Sequence, residues 1–190
     1  MSIPQFETDR LILKAVTLDD APAYEKHFID YEVIRYLSST VPWPYPQKGI
    51  IDFINNYIIP NQGKDHWIWG IFLKMNSSEL IGVVDLWRDG QPENRGFWLG
   101  RKFWGQGIMT EAVEPVTTYA FVELGFEALV LANALGNVRS RRVKEKAGAR
   151  FLRVEPAKYV DPQFTEQEIW VLEKSAWLQL QPQPHHFARL

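Results

Sequence analysis

The chain contains no cysteine. That excludes disulfide staples, thiolate zinc sites and a cysteine acyl-enzyme at once. Charge of one sign is also scarce: 21 lysines and arginines face 23 aspartates and glutamates, a net charge of −2. A nucleic-acid partner therefore has no electrostatic support from the chain as a whole. No apolar run approaches a membrane span, and the opening MSIPQFETDR has none of signal-peptide length. Internal repeats are absent too. These absences predict a soluble, cytoplasmic protein with neither nucleic-acid nor membrane partner and no metal. What is present is 190 residues, 46% of them hydrophobic, enough for one packed domain. The expected division is a single domain over 1–180 and a polar, proline-containing tail over 181–190. His185 and His186 in that tail are too isolated to argue a metal site.

Residues 94–112, NRGFWLGRKFWGQGIMTEA, organise the rest. Gly96, Phe97, Trp98, Leu99 and Gly100 read as a buried strand, followed by a loop over 101–106. From Gly107 the spacing turns helical, with Met109, Ala112, Val113, Val116, Ala120 and Leu124 three and four apart. A strand, a glycine loop and a helix start form an anion grip, because the first helical N–H groups lack internal partners and glycine lets a phosphate approach. A pyrophosphate is the expected ligand. Two common pyrophosphate loops do not fit. No lysine follows Gly107 as a nucleotide P-loop requires, and Thr110 occupies the third small position of a dinucleotide fingerprint.

The remaining chain predicts a first strand over 10–16 and a helix opening near Pro22 after the capping residues of 17–20. Residues 38–46 hold three prolines in five positions (Pro42, Pro44, Pro46) around Trp43 and Tyr45, which forbids a regular helix. That loop is either a packed connector or the aromatic wall of an acceptor pocket. A helix is expected over 47–59 with Pro60 stopping it. Strands are expected over 66–73 and 80–87 with residues 76–78 as their turn, and their near-continuous apolar character predicts helices on both faces of the sheet. Pro115 falls inside the central helix, and Gly125 caps it. A strand over 128–132 would complete a crossover and lie parallel to the 96–100 strand. Asn137 caps a helix ending at Gly148, and residues 151–160 and 169–173 read as a closing hairpin. Arg139, Arg141 and Arg142 crowd that helix's positive end. Either a phosphate or solvation with local carboxylates would relieve them.

The segment WGQGIMTEA, 104–112, resembles the acetyl-coenzyme A loop of the GNAT N-acetyltransferase superfamily, Q/R-x-x-G-x-G/A. It is most similar to the ribosomal-protein N-terminal acetyltransferase-like branch, with W-G-x-G-x-x-T-E-A. Trp104 replaces the usual Gln or Arg, and Met109 the usual small residue. Thr8, Arg10, Leu11 and Leu13 match the branch's opening T-x-R-L-x-L. Asn137, Ser140, Val143, Lys146 and Gly148 match N-x-x-S/A-x-x-(apolar)-x-x-K-x-G in register, so the resemblance covers roughly 8–177.

The resemblance implies an α/β fold: a twisted mixed central sheet of about six to seven strands, helices on both faces and a splayed central strand pair. It implies acetyl-coenzyme A as cosubstrate, gripped by Arg101, Trp104, Gly105, Gln106, Gly107, Ile108, Met109 and Thr110. Trp98, Leu99 and Gly100 would offer backbone to the pantetheine, with the Leu99 N–H as oxyanion donor, and Asn137 and Ser140 would bind from the other side. The tyrosine that many members use as general acid is Lys144 here, leaving Ser140 as the nearby hydroxyl. Acetyl transfer by direct attack of an amine also needs a base. Asp85, in an apolar strand that should raise its pKa, Glu168 and a water chain are the alternatives, and either carboxylate could instead be a structural partner of an arginine. The acceptor amine stays open among protein N-terminus, polyamine, amino sugar and small amine, and a homodimer is compatible. A binding module that holds acetyl-coenzyme A without turnover is the competing class.

Overall fold

The computed structural model describes residues 3–90 and 93–181. Strands β1 (Phe6–Glu7), β2 (Leu11–Ala15), β3 (His66–Leu73), β4 (Asn76–Trp87) and β5 (Arg95–Leu99) form an antiparallel sheet in that order. A second antiparallel sheet runs β6 (Ala128–Ala134), β8 (Glu166–Glu173), β7 (Arg150–Pro156). The expected mixture of helix and sheet holds. It is divided five and three rather than built as one sheet of six or seven strands.

Helices α1 (Ala21–Phe28), α2 (Tyr31–Ile34), α3 (Gly49–Phe53) and α4 (Ile59–Asn61) precede β3; α5 (Ile108–Val122) follows β5, α6 (Val138–Lys146) follows β6, and α7 (Lys174–Leu180) follows β8. Both faces of the larger sheet are covered, as the unbroken apolar strands predict. Trp67, Trp69 and Ile71 of β3 pack with Met109, Val113 and Val116 of α5. Ile68 and Phe72, one residue out of phase, pack with Tyr24 and Phe28 of α1 and Ile50 of α3. Alternate side chains of a strand leave by opposite faces, so a strand between two helical layers needs apolar residues at every position.

Three local expectations are corrected. The β3–β4 turn lies at Lys74 and Met75, because β4 already begins at Asn76. Its first residues are polar because they are exposed, where a strand needs no apolar side chain. Pro60 does not stop its helix: a π turn over Ile54–Ile58 leads into α4, which carries Pro60 in its first turn. A widened turn suits a ring that would otherwise press on the carbonyl one turn back. The 96–100 and 128–132 segments are not paired as parallel neighbours, since β5 and β6 are edge strands of different sheets. Of the predicted tail, residues 182–190 lie outside the described residues, and with them His185 and His186.

Candidate active site

The gap between β5 and β6 is the centre of the site. Asn94 pins one end: its N–H donates to the Val130 carbonyl at 2.7 Å, and its Oδ1 accepts the Val130 N–H at 2.7 Å. Glu93 adds a carboxylate oxygen that accepts the Ala132 N–H at 2.9 Å. Beyond this clamp no ladder joins the strands, and they splay.

Register shows what the splay exposes. Gly100 N–H bonds to the Ile81 carbonyl at 2.8 Å, and Trp87 N–H to the Asn94 carbonyl at 2.7 Å. Antiparallel pairs alternate, so the intervening Gly82–Leu99 pair is of the non-bonded kind. The Leu99 N–H and C=O therefore face away from β4, into the gap. The carbonyl is taken by Trp104 Nε1 at 2.7 Å, which also fixes the indole at the mouth of the loop.

The loop has the backbone an anion grip requires. Gly105 and Gly107 both adopt φ +74°, the left-handed region, and a Cβ at Gly105 would have no neighbour within 4 Å. Gly107 is the N-cap of α5, with no side-chain cap, which leaves the N–H groups of the first turn free for a ligand. Met109 turns its side chain into the core. Glu111 explains the Thr-Glu of the motif: it accepts the Thr8 hydroxyl at 2.5 Å, the Arg10 N–H at 2.9 Å and Arg10 Nε at 2.6 Å. Arg10 then reaches the Gln106 carbonyl at 2.9 Å. The chain's first motif and its glycine loop are thus one hydrogen-bonded unit.

A cavity of about 930 Å³ joins the loop to the interior. Of the predicted site residues it is lined by Trp98, Leu99, Trp104, Gly105, Gly107, Ile108, Met109, Thr110, Asn137, Ser140 and Asp85. Gly100, Arg101, Gln106 and Glu168 are not part of that lining. Gly100 backs onto His27, Arg101 is exposed, and the Gln106 amide folds back to the Lys102 carbonyl. Across the gap, the Asn137 side chain accepts the Ser140 N–H at 3.3 Å as the N-cap of α6.

The arginines of α6 have different surroundings. Arg141 bonds Glu168 bidentately. Arg139 lies 3.9 Å from the Trp104 ring centroid and, with Arg142, lines the cavity. In the proline loop Val41, Pro42 and Tyr45 line the cavity, while the Trp43 ring packs at a tilt against Tyr31.

The two carboxylates part company. Asp85 lines the inner cavity, with Oδ1 buried and without a partner. Burial, reinforced by the nearby Glu93, pushes its pKa up to about 8. A Cβ at Gly96 would stand 2.7 Å from that oxygen, which is why the facing strand carries glycine. Glu168 is buried too, but hydrogen bonds from Arg141 and Asn133 outweigh its desolvation and hold its pKa below the usual value. It is a structural partner of Arg141, the alternative already open for it in the sequence.

Sequence reasoning missed Glu93, His66 and the burial of Lys144. Glu93 sits in a connection without periodicity. His66 reads as the polar start of a strand, yet it is buried against Trp87 with neither ring nitrogen bonded, and burial lowers its pKa to about 4. Lys144, which in the sequence only replaces the family's tyrosine, is 2% exposed. Among the described residues no group of three or more His, Asp or Glu could hold a metal ion, and no helix is long and apolar enough to cross a membrane.

An open glycine loop at a helix start, a splayed strand edge and an inner carboxylate surround one cavity. Residues 10–150 match the Acetyltransferase (GNAT) domain, and the chain belongs to that family as an N-acetyltransferase. It is 30% identical over 148 residues to the uncharacterized N-acetyltransferase YoaA of Bacillus subtilis (strain 168), spanning 76% of this chain and 82% of that one. Similar structures include RimL, a ribosomal L7/L12 alpha-N-protein acetyltransferase (TM-score 0.74, 18% identity, 91% of this chain and 99% of that one). Another is the microcin C7 self-immunity acetyltransferase MccE in complex with acetyl-CoA and AMP (TM-score 0.69, 22% identity, 87% and 93%). The GNAT fold uses acetyl-coenzyme A.

Proposed function

We propose that the protein transfers the acetyl group of acetyl-coenzyme A to a primary amine by direct attack in a ternary complex. One observation carries this reading: the glycine loop, the Leu99 edge and the Asp85 carboxylate open onto the same cavity. The pyrophosphate rests on the N–H groups following Gly105 and Gly107, with Arg139 and Arg142 supplying positive charge. The pantetheine enters the splay, where Asn137 faces it. The thioester oxygen takes the Leu99 N–H as it becomes an oxyanion. Asp85 accepts the amine proton, and the Ser140 hydroxyl protonates the departing thiolate.

The acceptor enters from the opposite end, between Tyr45, Phe28 and Tyr57, which line the inner cavity with Asp85. Aromatic walls around carboxylates favour an amine carrying an apolar body. Both peptide N-termini, the acceptor in the name of the similar RimL, and small arylalkyl amines satisfy that description. The test is a panel of peptides, polyamines, amino sugars and small amines, read by release of free coenzyme A thiol. Turnover confined to amines with apolar bodies is the expected outcome. Turnover of the polyamines or amino sugars alone would refute the acceptor class, and no turnover with coenzyme bound would refute the transfer.

A further inference from the structure

One buried group has no part in the steps above. Lys144 occupies the inner face of α6 at 2% exposure, one turn beyond Ser140. Its Nζ donates to Ser140 Oγ at 2.8 Å and lies 5.4 Å from the centroid of the Phe97 ring. Phe97 and Ser140 both line the cavity, so Lys144 stands directly behind the wall that the thioester would touch.

The direction of the bond matters. A lysine ammonium only donates, so Ser140 Oγ is the acceptor and its own proton must go elsewhere. Serines within helices commonly give that proton to the carbonyl four residues back. Here no acceptor for it exists among the described residues. The hydroxyl proton is therefore free to be aimed into the cavity.

We propose that Lys144 is the proton reservoir for Ser140, forming a two-residue relay that protonates the coenzyme A thiolate. The inference rests on the acetyl-transfer reading of the cavity and on Ser140 as its donor. As the carbon–sulfur bond breaks and its electron pair stays on sulfur, the Ser140 O–H proton passes to sulfur. One N–H proton of Lys144 passes to Ser140 Oγ, so serine ends unchanged and lysine ends neutral. The proton that the acceptor amine sheds, released through Asp85 to water, restores the ammonium. Net, one proton moves from nitrogen to sulfur. Lys144 touches no reacting atom and is a positioning and supply residue, with Ser140 as the group in contact.

The surroundings suit a lysine that must give up a proton near neutrality. Glu93 faces it from the connection before β5, Arg95 from the first residue of β5, and Glu168, already bonded to Arg141, from β8. Burial lowers its pKa below that of an ordinary lysine, although the negative field of Glu93 opposes this. An ordinary surface lysine would hold its proton too firmly to pass it on.

The test uses the full chain with Lys144→Met, Lys144→Gln and Ser140→Ala. Glutamine keeps a hydrogen-bond donor toward Ser140 but has no proton to deliver, and it serves if methionine folds poorly beside Glu93. The first readout needs no acceptor: the pKa of the coenzyme A thiol in the binary complex, from thiolate ultraviolet absorbance. A cationic relay beside sulfur should hold that thiol about 1 unit or more below its value in both Lys144 variants. The second readout is kcat against pH. The limb on which activity falls at high pH should vanish in both variants. The rate should drop roughly 10- to 100-fold or more, with KM for acetyl-coenzyme A little changed. Ser140→Ala combined with Lys144→Gln should cost no more than Ser140→Ala alone. An identical thiol pKa in wild type and variants overturns the relay alone, as does a retained limb in the variants. Failure of the wild type to bind coenzyme A overturns the reading of the cavity itself, and the relay with it.

Discussion

Gly105 and Gly125 offer a controlled experiment within one chain. Both are left-handed, at φ +74° and +71°, and at both a Cβ would meet nothing within 4 Å. Alanine at either position should therefore carry the same backbone strain, about 1–2 kcal/mol, without a steric clash. For a chain of this length that is a fall in Tm of roughly 2–8 °C. The sites differ only in what surrounds them: Gly105 lines the cavity, whereas Gly125 follows α5 away from it. The open space at Gly105 is where the pyrophosphate would lie, so a Cβ there should push it off at least one amide. Loss of one charge-assisted hydrogen bond amounts to about 1.5–3 kcal/mol, or roughly 10- to 150-fold in Kd at 25 °C. Calorimetric titration of acetyl-coenzyme A into both variants, with thermal unfolding alongside, separates strain from contact. Equal affinities for Gly105→Ala and Gly125→Ala would refute the loop as the pyrophosphate site.

Three further outcomes follow from the same geometry. Asp85→Asn should lower kcat by about 10²–10⁴ and erase the limb on which activity rises with pH. Because the folded-state pKa of Asp85 lies above the unfolded value, the native state binds the extra proton between the two. Stability thus falls as pH rises through that window, and Asp85→Asn should flatten the decline seen in denaturation series from pH 4 to 8. Unchanged pH profiles of both rate and stability would remove Asp85 as the base. Asn137→Ala should weaken coenzyme binding and lower stability by about 0.5–2 kcal/mol through the lost cap, read by titration and chemical denaturation. Glu168→Gln should destabilise by about 1–3 kcal/mol, while kcat at saturating coenzyme stays within a few-fold of wild type. The depressed pKa of Glu168 gives the opposite sign of linkage: its stabilisation is present above the unfolded carboxylate pKa and is lost on acidification. A Glu168→Gln enzyme with a rate like that of Asp85→Asn would reassign the base.

What the amino-acid sequence determined by itself is whatever depends on neighbours along the chain. The anion loop is legible because left-handed glycines and a helix start lie within four residues. Asn137 is legible because a cap bonds three residues on, and Asp85 because its strand neighbours are apolar. The doubly covered sheet follows from β3, whose residues after His66 are all apolar, as a strand with helices on both sides requires. Only the tertiary structure decided what joins distant segments. Thr8 and Arg10 gain their meaning from Glu111, about a hundred residues away. Glu168 is held in an ion pair by Arg141, and Lys144 lies inside, over the Phe97 ring of β5, through no preference of its own helix. Where β5 and β6 part is set by the Asn94 clamp between strands of different sheets. A hydrogen bond between residues far apart in sequence leaves no periodicity, and burial of a charge is a property of its surroundings. Those two physical facts mark the line between what could be read and what had to be seen.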